Sequence, residues 1–290
     1  MSRVYRALER AEKEKKQKIS KDPFSGIFRE ESAVTQLEKP IQVERPFQAE
    51  EREKDPKGGL DRLEMPFGEK ASISIAPRHS FAEEQFRKIK TNILRRSPQP
   101  PYSILITSPG PGEGKTTVAL NLAMSISNEL HKRVILIDAD LRKPTIFREK
   151  YLNSKGLSDY LTDHTSTTEI LTCFEANNFR IIPAGTLPQR PAELIGSKKM
   201  KELIKNLREN NDDTFILIDS PPVLSTSEPL LLSELVDGVI LVVKAGQGPK
   251  AAVRRAVNSI GREKIIGVVF NQKDLKPSKR YHEYYYRYYR

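Results

Sequence analysis

The sequence predicts a doubly wound α/β domain, with a mostly parallel sheet and helices on both of its faces. The first observation behind this prediction is a series of six short apolar segments between residues 102 and 270, each rich in β-branched residues. Helical patterns separate these segments along the chain, and a glycine-rich turn directly follows the first of them. Because the segments are apolar throughout rather than alternating, we expect each to be a strand buried on both faces.

The elements of this domain follow in a regular order. Ser80 stands where it would cap a first helix, which we expect to run to Arg96. The apolar segments place strands at Tyr102–Thr107, Val134–Ile137, Phe179–Ile182, Phe215–Ile218, Val239–Val243 and Ile265–Phe270. Further helices are expected at residues 115–130, 190–209, 227–235 and 249–261. Connections of this length suit parallel strands, which need crossovers of a dozen residues or more.

The ends of the chain have a different composition. Val4, Leu8 and Ala11 repeat at helical spacing, so residues 1–18 are expected to form a short amphipathic helix. This helix is either a docking element or a solvated, frayed segment. Residues 19–75 are densely charged and interrupted by prolines, and they are expected to be a disordered linker. Residues 76–272 then form the folded domain, and residues 273–290 return to polar sequence as a disordered tail.

Composition excludes several classes of protein. A single cysteine among 290 residues forms no intramolecular disulfide, which fits a reducing compartment. No stretch approaches the roughly 18 apolar residues that span a bilayer, and the first residues lack the apolar core of a signal peptide. We therefore expect a cytoplasmic protein. The net charge of +11 permits attraction to nucleic acid or anionic lipid without establishing either.

The glycine-rich turn predicts a phosphate-binding loop. Its residues, between the first strand and the next helix, are Ser108, Pro109, Gly110, Pro111, Gly112, Glu113, Gly114, Lys115, Thr116 and Thr117. Glycines let backbone N–H groups close around phosphate oxygens, and the helix N-terminus adds the positive end of its dipole. Lys115 would reach the β- and γ-phosphates, and the Thr116 hydroxyl would bind Mg²⁺. Pro109 stands where the strict pattern has glycine, so the loop is a variant of that pattern.

Three carboxylates follow two of the predicted strands. Asp138 and Asp140 come after the second strand, and Asp219 follows the fourth. Ligands of open α/β sheets bind outside the carboxyl ends of the strands, so these acids and the loop are expected to face one crevice. Aspartates placed there can hold hydrated Mg²⁺ and accept a proton from an attacking hydroxyl.

Together these motifs resemble the bacterial tyrosine kinases, the P-loop autokinases of capsule and exopolysaccharide export. The sequence carries a Walker A motif at 108–117, a Walker A′ motif at 134–140 and a Walker B motif at 215–219. The resemblance covers residues 80–272, and the opening residues are similar to the subgroup linked to exosortase-type polysaccharide clusters. It implies a P-loop NTPase fold of the Min/Par type over residues 76–272 and a kinase that uses ATP and Mg²⁺.

The resemblance also implies a role for each site residue. Lys115 would bind phosphate, and Thr116, Asp138 and Asp219 would hold Mg²⁺, Asp219 doing so through water. Asp138 and Asp140 would share metal positioning and the role of general base, with Asp138 favoured as the base. Arg142 would stabilise charge. Asn271 would contact the adenine, and the loop from Gly110 to Thr117 would bind the nucleotide.

The sequence departs from the family at two places. The oligomerisation motif Glu-x-x-Arg-x-x-Arg appears as Glu84, Arg87 and Lys90, and lysine lacks the bidentate fork of arginine. Arg190 stands where the family usually has asparagine. The alternative function is a Min/Par-like ATPase switch that positions cargo without phosphorylating protein. That class carries an additional signature lysine, and this chain has Gly110 at the corresponding position.

The tail supplies candidate phosphate acceptors. Six tyrosines lie in the last ten residues: Tyr281, Tyr284, Tyr285, Tyr286, Tyr288 and Tyr289. Within the family such a cluster implies autophosphorylation in trans, in a homo-oligomer. Aromatic residues interleaved with arginine also permit stacking on nucleic acid or adhesion to an anionic membrane, and the phosphate loop makes nucleic acid the lesser alternative.

The resemblance further implies partners and a location. A membrane-anchored polysaccharide co-polymerase, or chain-length determinant, would be partner and activator, and a cognate tyrosine phosphatase is a possible second partner. We expect no nucleic-acid partner. The kinase would be recruited from the cytoplasm to the inner face of the plasma membrane.

Overall fold

The computed structural model describes residues 75–77, 80–96, 99–146, 154–162, 165–174, 176–209, 213–246 and 248–272. The predicted N-terminal helix (1–18), the tyrosine-rich tail (273–290) and all but the last residue of the predicted linker (19–75) lie outside these residues. The described strands are β1 (Ser103–Thr107), β2 (Arg133–Asp138), β3 (Thr172–Phe174), β4 (Ala176–Ile182), β5 (Thr214–Asp219), β6 (Gly238–Lys244) and β7 (Ile265–Asn271).

Eight α-helices, and one 3₁₀ helix at Arg262–Lys264, are described along the same residues. The α-helices are α1 (Phe81–Leu94), α2 (Lys115–Ser127), α3 (Leu157–Leu161), α4 (Thr167–Ile170), α5 (Pro191–Ile195), α6 (Lys198–Glu209), α7 (Glu228–Leu235) and α8 (Lys250–Ile260). The predicted cap of the first helix is confirmed, because the Ser80 hydroxyl accepts the N–H of Glu83 at 3.1 Å. No described helix is long and apolar enough to cross a membrane.

The strands form one seven-stranded sheet with the order β3-β4-β2-β5-β1-β6-β7. Every described neighbouring pair is parallel except β3 with β4, which is antiparallel. From β1 the chain steps to β2 on one side and later to β6 and β7 on the other. Right-handed crossovers in opposite directions place helices on opposite faces, so the predicted doubly wound α/β fold is confirmed.

The core lies along the central strands. All residues of β1 and β5 are buried, and so are five of the six residues of β2. Helix α2 packs on these strands with buried side chains that include Val118, Leu122 and Ile126. This packing holds the carboxyl ends of β1, β2 and β5 side by side, next to the start of α2.

Two sequence predictions are wrong in detail. β7 was expected to be buried on both faces, yet Val268 is 44% and Phe270 67% exposed, because β7 is the last strand of the sheet. The single helix predicted over 190–209 is two helices, α5 and α6, separated at Gly196 and Ser197. No strand was predicted at β3, because its three residues are too few to show a pattern.

Candidate nucleotide site

The phosphate loop connects β1 to α2, and glycine is required in its last turn. Gly112 and Gly114 have φ angles of +75° and +83°, the left-handed region that favours glycine. A Cβ atom on Gly114 would also lie 2.0 Å from Nδ2 of Asn271. That amide donates a hydrogen bond to the carbonyl of Glu113 at 2.9 Å. The end of β7 therefore rests directly against the loop.

Lys115 and Thr116 open helix α2 and contact the carboxylates of two neighbouring strands. Lys115 Nζ lies 3.3 Å from Oδ2 of Asp140 and 3.9 Å from Oδ1 of Asp219. The Thr116 hydroxyl donates to Oδ2 of Asp219 at 2.6 Å. The structure thus brings together the loop and the carboxylates that the sequence placed in one crevice.

Asp138 is fully buried, and backbone donors hold both of its oxygens. Oδ1 accepts the N–H of Asp140 and Oδ2 accepts the N–H of Ile146, each at 3.1 Å. Its Cα is the register partner of Asp219 across the β2–β5 ladder, so the two carboxylates end adjacent strands at the same level. Asp138 is therefore held rigidly, and Asp140 turns back from it to approach Lys115.

The electrostatics of this cluster follow from burial. Burial, followed by repulsion from Asp219, raises the pKa of Asp138 to about 8, although the backbone donors lower it. Burial also raises the pKa of Asp219 to about 6, against the attraction of Lys115. For Lys115, burial lowers the pKa, but Asp219 and Asp140 outweigh it and the net shift is upward. A charged lysine thus faces carboxylates that burial makes costly to ionise.

Mg²⁺ would find suitable ligand atoms here. Oδ1 of Asp219 is buried and accepts no hydrogen bond, although Lys115 lies within ion-pair distance of it. The Thr116 hydroxyl is bonded to the other oxygen of the same carboxylate. Within the described ranges, no three or more His, Cys, Asp or Glu side chains are placed to ligate one ion. Mg²⁺ does not need such a group, since it usually keeps several waters and takes one or two carboxylates plus substrate phosphates.

Arg142 is engaged away from the loop in this structure. Its Nε donates to Oε1 of Glu228 at 2.7 Å. Glu228 begins helix α7 and its side chain is 1% exposed, whereas the Arg142 side chain is 49% exposed. Burial favours a higher pKa for Glu228, but the hydrogen bond with Arg142 and weaker local contacts outweigh it, so the net shift of the pKa is downward. This ion pair joins the segment after β2 to the helix that follows the β5 acid.

The residues of the oligomerisation motif lie on helix α1. Arg87 bonds to Glu84 at 3.0 Å and to Glu83 at 3.5 Å. Lys90 bonds to Glu129, beyond the end of α2, at 2.5 Å. Arg190, the other departure from the family, contacts Glu193 at 3.3 Å. The six tail tyrosines lie outside the described residues.

Sequence reasoning missed three residues of the site. The Thr145 hydroxyl lies 3.1 Å from that of Thr116. Glu228 holds Arg142, and the backbone N–H of Lys244 donates to the Glu113 side chain at 2.8 Å. None of these residues belongs to the three Walker motifs. Of the three, only Lys244 could have been predicted to lie near the site, because it directly follows a predicted strand.

The segments at 156–161 and 183–194 contact each other closely. Gly156 and Gly185 approach so closely that a Cβ on Gly156 would lie 2.4 Å from the Gly185 nitrogen. Asp159 accepts the N–H groups of Gly156 at 2.8 Å and Thr186 at 3.2 Å. The segments at 156–161 and 183–194 therefore meet through small residues and one carboxylate.

Comparison with known proteins gives a consistent result. A family model described as an AAA domain matches residues 103–262. The tyrosine-protein kinase YwqD of Bacillus subtilis strain 168 is 34% identical over 216 residues, covering 73% of this chain and 90% of its own length.

Solved structures agree with that sequence match. The crystal structure of the chimerical protein CapA2B2 is 31% identical with a TM-score of 0.62, covering 67% of this chain and 86% of its own. The VpsO kinase domain is also 31% identical, with a TM-score of 0.57, over 67% of this chain and all of its own.

Proposed function

Because the chain belongs to the bacterial tyrosine kinases, we propose that it transfers the γ-phosphoryl group of ATP to tyrosine hydroxyls, first those of its own tail. The family acts in the synthesis of capsules and exopolysaccharides. The tail tyrosines Tyr281, Tyr284, Tyr285, Tyr286, Tyr288 and Tyr289 are the proposed acceptors.

One observation supports this assignment most strongly. The first residues of α2 and the carboxyl end of β5 bring Lys115, Thr116 and Asp219 within 3.9 Å of one another. Phosphoryl transfer demands little covalent chemistry of a protein and much positioning of charge. A buried lysine beside a loop of backbone donors supplies positive charge for phosphates, and the adjacent carboxylates supply oxygen ligands.

Each side chain then has a proposed task. Lys115 binds the β- and γ-phosphates after leaving Asp140. Thr116, Asp138 and Asp219 would hold Mg²⁺, Asp219 through water, and the buried Oδ1 of Asp219 accepts no hydrogen bond that would compete. Bound Mg²⁺ would neutralise charge on the phosphate oxygens. Asp140 would share with Asp138 the positioning of the metal ion.

The proton of the attacking tyrosine needs an acceptor. We favour Asp138, whose raised pKa makes it a better base than an ordinary aspartate, with Asp140 as its alternative. Arg142 stabilises charge on the transferring group once released from Glu228. Asn271, which contacts the loop beside Gly114, is proposed to contact the adenine.

Assembly and location complete the proposal. Glu84, Arg87 and Lys90 would contribute to a homo-oligomer in which one subunit phosphorylates the tail of another. A membrane-anchored polysaccharide co-polymerase would recruit the kinase to the inner face of the plasma membrane and activate it. A cognate tyrosine phosphatase would reverse the modification. The names of the relatives favour this function over a Min/Par-like ATPase switch.

The test uses the purified full chain with γ-labelled ATP. Phosphotyrosine and released phosphate are measured together, with Lys115→Met as the inactive control. We expect labelled tyrosine that requires Mg²⁺ and disappears on chelation. We expect Lys115→Met to lower the rate at least roughly a thousandfold, as loss of a major transition-state charge does. The assay is repeated at the same kinase concentration with the co-polymerase added. Phosphate release without phosphotyrosine in that second assay would instead support the ATPase switch.

A further inference from the structure

Glu113 is the acidic residue of the phosphate loop, and the proposed chemistry gives its side chain no task. Both carboxylate oxygens are nevertheless bonded. Oε1 accepts the N–H of Gly110 at 2.9 Å, and Oε2 accepts the N–H of Lys244 at 2.8 Å. Lys244 is the last residue of β6 and lies 131 positions away in the chain. One side chain therefore closes a turn inside the loop and fastens that turn to the sheet.

The backbone of Glu113 is held at the same time. Asn271, the last residue of β7, donates its amide to the Glu113 carbonyl at 2.9 Å. The carbonyl of Asn271 in turn accepts the N–H of Ala245 at 2.8 Å, which joins the ends of β6 and β7. The loop is thus fixed on one side by two adjacent strand ends, opposite its contact with the strand-end carboxylates.

We propose that Glu113 is a positioning residue that fixes the phosphate loop before ATP arrives. It also couples the loop to Asn271, the residue proposed to contact the adenine. This inference rests on the proposed ATP-dependent function. A loop with three glycines has many conformations, and ordering it on binding would weaken affinity. Hydrogen bonds from N–H groups to a carboxylate are stronger than neutral ones, so two of them hold the loop well.

The substitution Glu113→Gln removes one link with little change of size. Both carboxylate oxygens accept N–H groups, and an amide offers one oxygen and one NH₂. One backbone N–H would then face another donor. Losing a hydrogen bond to a charged group predicts roughly tenfold to hundredfold weaker ATP affinity. The rate at saturating ATP should change by less than roughly threefold, because the loop is ordered once ATP is bound.

A double-mutant cycle tests the coupling to Asn271. Asn271→Ala alone should also weaken ATP affinity, since it frees the same turn of the loop. In the Asn271→Ala background, Glu113→Gln should cost little more, because the turn is already released. Any loss of the proposed adenine contact occurs in both Asn271→Ala variants and cancels in the cycle. Glu202→Gln is the matched control, since Glu202 makes an exposed ion pair with Lys198 on α6. Additive losses in the cycle would overturn the proposed coupling.

Amide hydrogen exchange gives a readout independent of activity. In the wild-type chain without nucleotide, the N–H groups of Gly110 and Lys244 should be protected, and Glu113→Gln should expose at least one of them. Unprotected wild-type amides would overturn the proposal, even if the variant failed to fold. If the variant binds ATP within twofold of wild type, Glu113 has no such role. If the wild-type chain itself binds no ATP, the proposed function fails instead.

Discussion

The strand-end cluster and the α1 cluster both combine acidic and basic side chains, but the carboxylates of the first are much more deeply buried. The strand-end cluster consists of Lys115, Asp138, Asp140 and Asp219, of which Asp138 and Asp219 are fully buried. The α1 cluster consists of Glu84, Arg87 and Lys90 on the first helix, where the Arg87 side chain is 47% exposed. Three carboxylates surround one lysine in the first cluster, whereas ion pairs with glutamates hold both basic side chains of the second.

This difference indicates what each cluster is for. Burying carboxylates costs free energy that one lysine does not fully repay, as the raised pKa values of Asp138 and Asp219 show. A fold that keeps such a cluster does so for chemistry, at the expense of stability. The Arg87 pairs of the α1 cluster are exposed, and exposed ion pairs contribute about 0–1 kcal/mol, so Arg87 is expected to affect assembly more than folding.

Between the two clusters, the larger effect is expected for Asp138→Asn, which removes an ionisable carboxyl group from the strand-end cluster. Loss of a general base or metal-holding carboxylate should lower the phosphorylation rate roughly a hundredfold to ten-thousandfold.

Asp138→Asn should also make the free energy of unfolding depend less on pH. Because the folded pKa of Asp138 lies above its unfolded value, the folded state keeps a proton that the unfolded chain loses. Wild-type stability therefore falls as pH rises toward about 8.

The measurement is urea unfolding of nucleotide-free, metal-free protein between pH 6 and pH 8. Asp219, whose pKa is about 6, is largely ionised by pH 7, so the upper half of this window reports mainly on Asp138. Wild type should lose on the order of 1 kcal/mol per pH unit more than Asp138→Asn. Asp213→Asn is the control, because Asp213 is a half-exposed partner of Lys132 and should keep the wild-type slope. Equal slopes for wild type and Asp138→Asn would show that Asp138 is not held as described.

A small effect on stability and a clear effect on assembly are expected for Arg87→Ala. The substitution removes two exposed ion pairs, so the free energy of unfolding should change by less than about 1 kcal/mol. Sedimentation velocity should show a smaller assembly than wild type at the same concentration. Lys155→Ala, which removes an exposed ion pair with Glu169, should leave assembly unchanged. An unaltered assembly in Arg87→Ala would remove the α1 cluster from the proposed interface.

The fold was largely predictable because its central strands are continuous apolar segments. The sequences of β1, β2, β5 and β6 are almost continuously apolar, which predicts that both faces of each strand are buried. The sequence of β7 is equally apolar, yet composition does not tell an edge strand from a central one. The division between α5 and α6 was missed because the sequence pattern is helical on both sides of Gly196, and a single glycine does not by itself predict the end of a helix.

The site was predictable where a motif carries its own geometry. Spacing after a strand placed Lys115, Asp138 and Asp219 in one crevice, because parallel strands end at one edge of the sheet. The contact of Arg142 with Glu228 joins residues 86 positions apart, and no local pattern marks it. The same holds for the bond between Glu113 and Lys244, since its acceptor is a side chain and its donor is backbone.

The central claim is that this chain phosphorylates its own tyrosine-rich tail with the strand-end cluster. The most direct measurement is mass spectrometry of the peptide containing Tyr281–Tyr289, isolated from native cells making polysaccharide, with phosphatases inhibited. Wild type and Lys115→Met are compared, and native cells supply any activator. We predict phosphotyrosine in the wild-type tail and its loss in the variant. An unmodified tail in both, or equal phosphate in both, would contradict the claim.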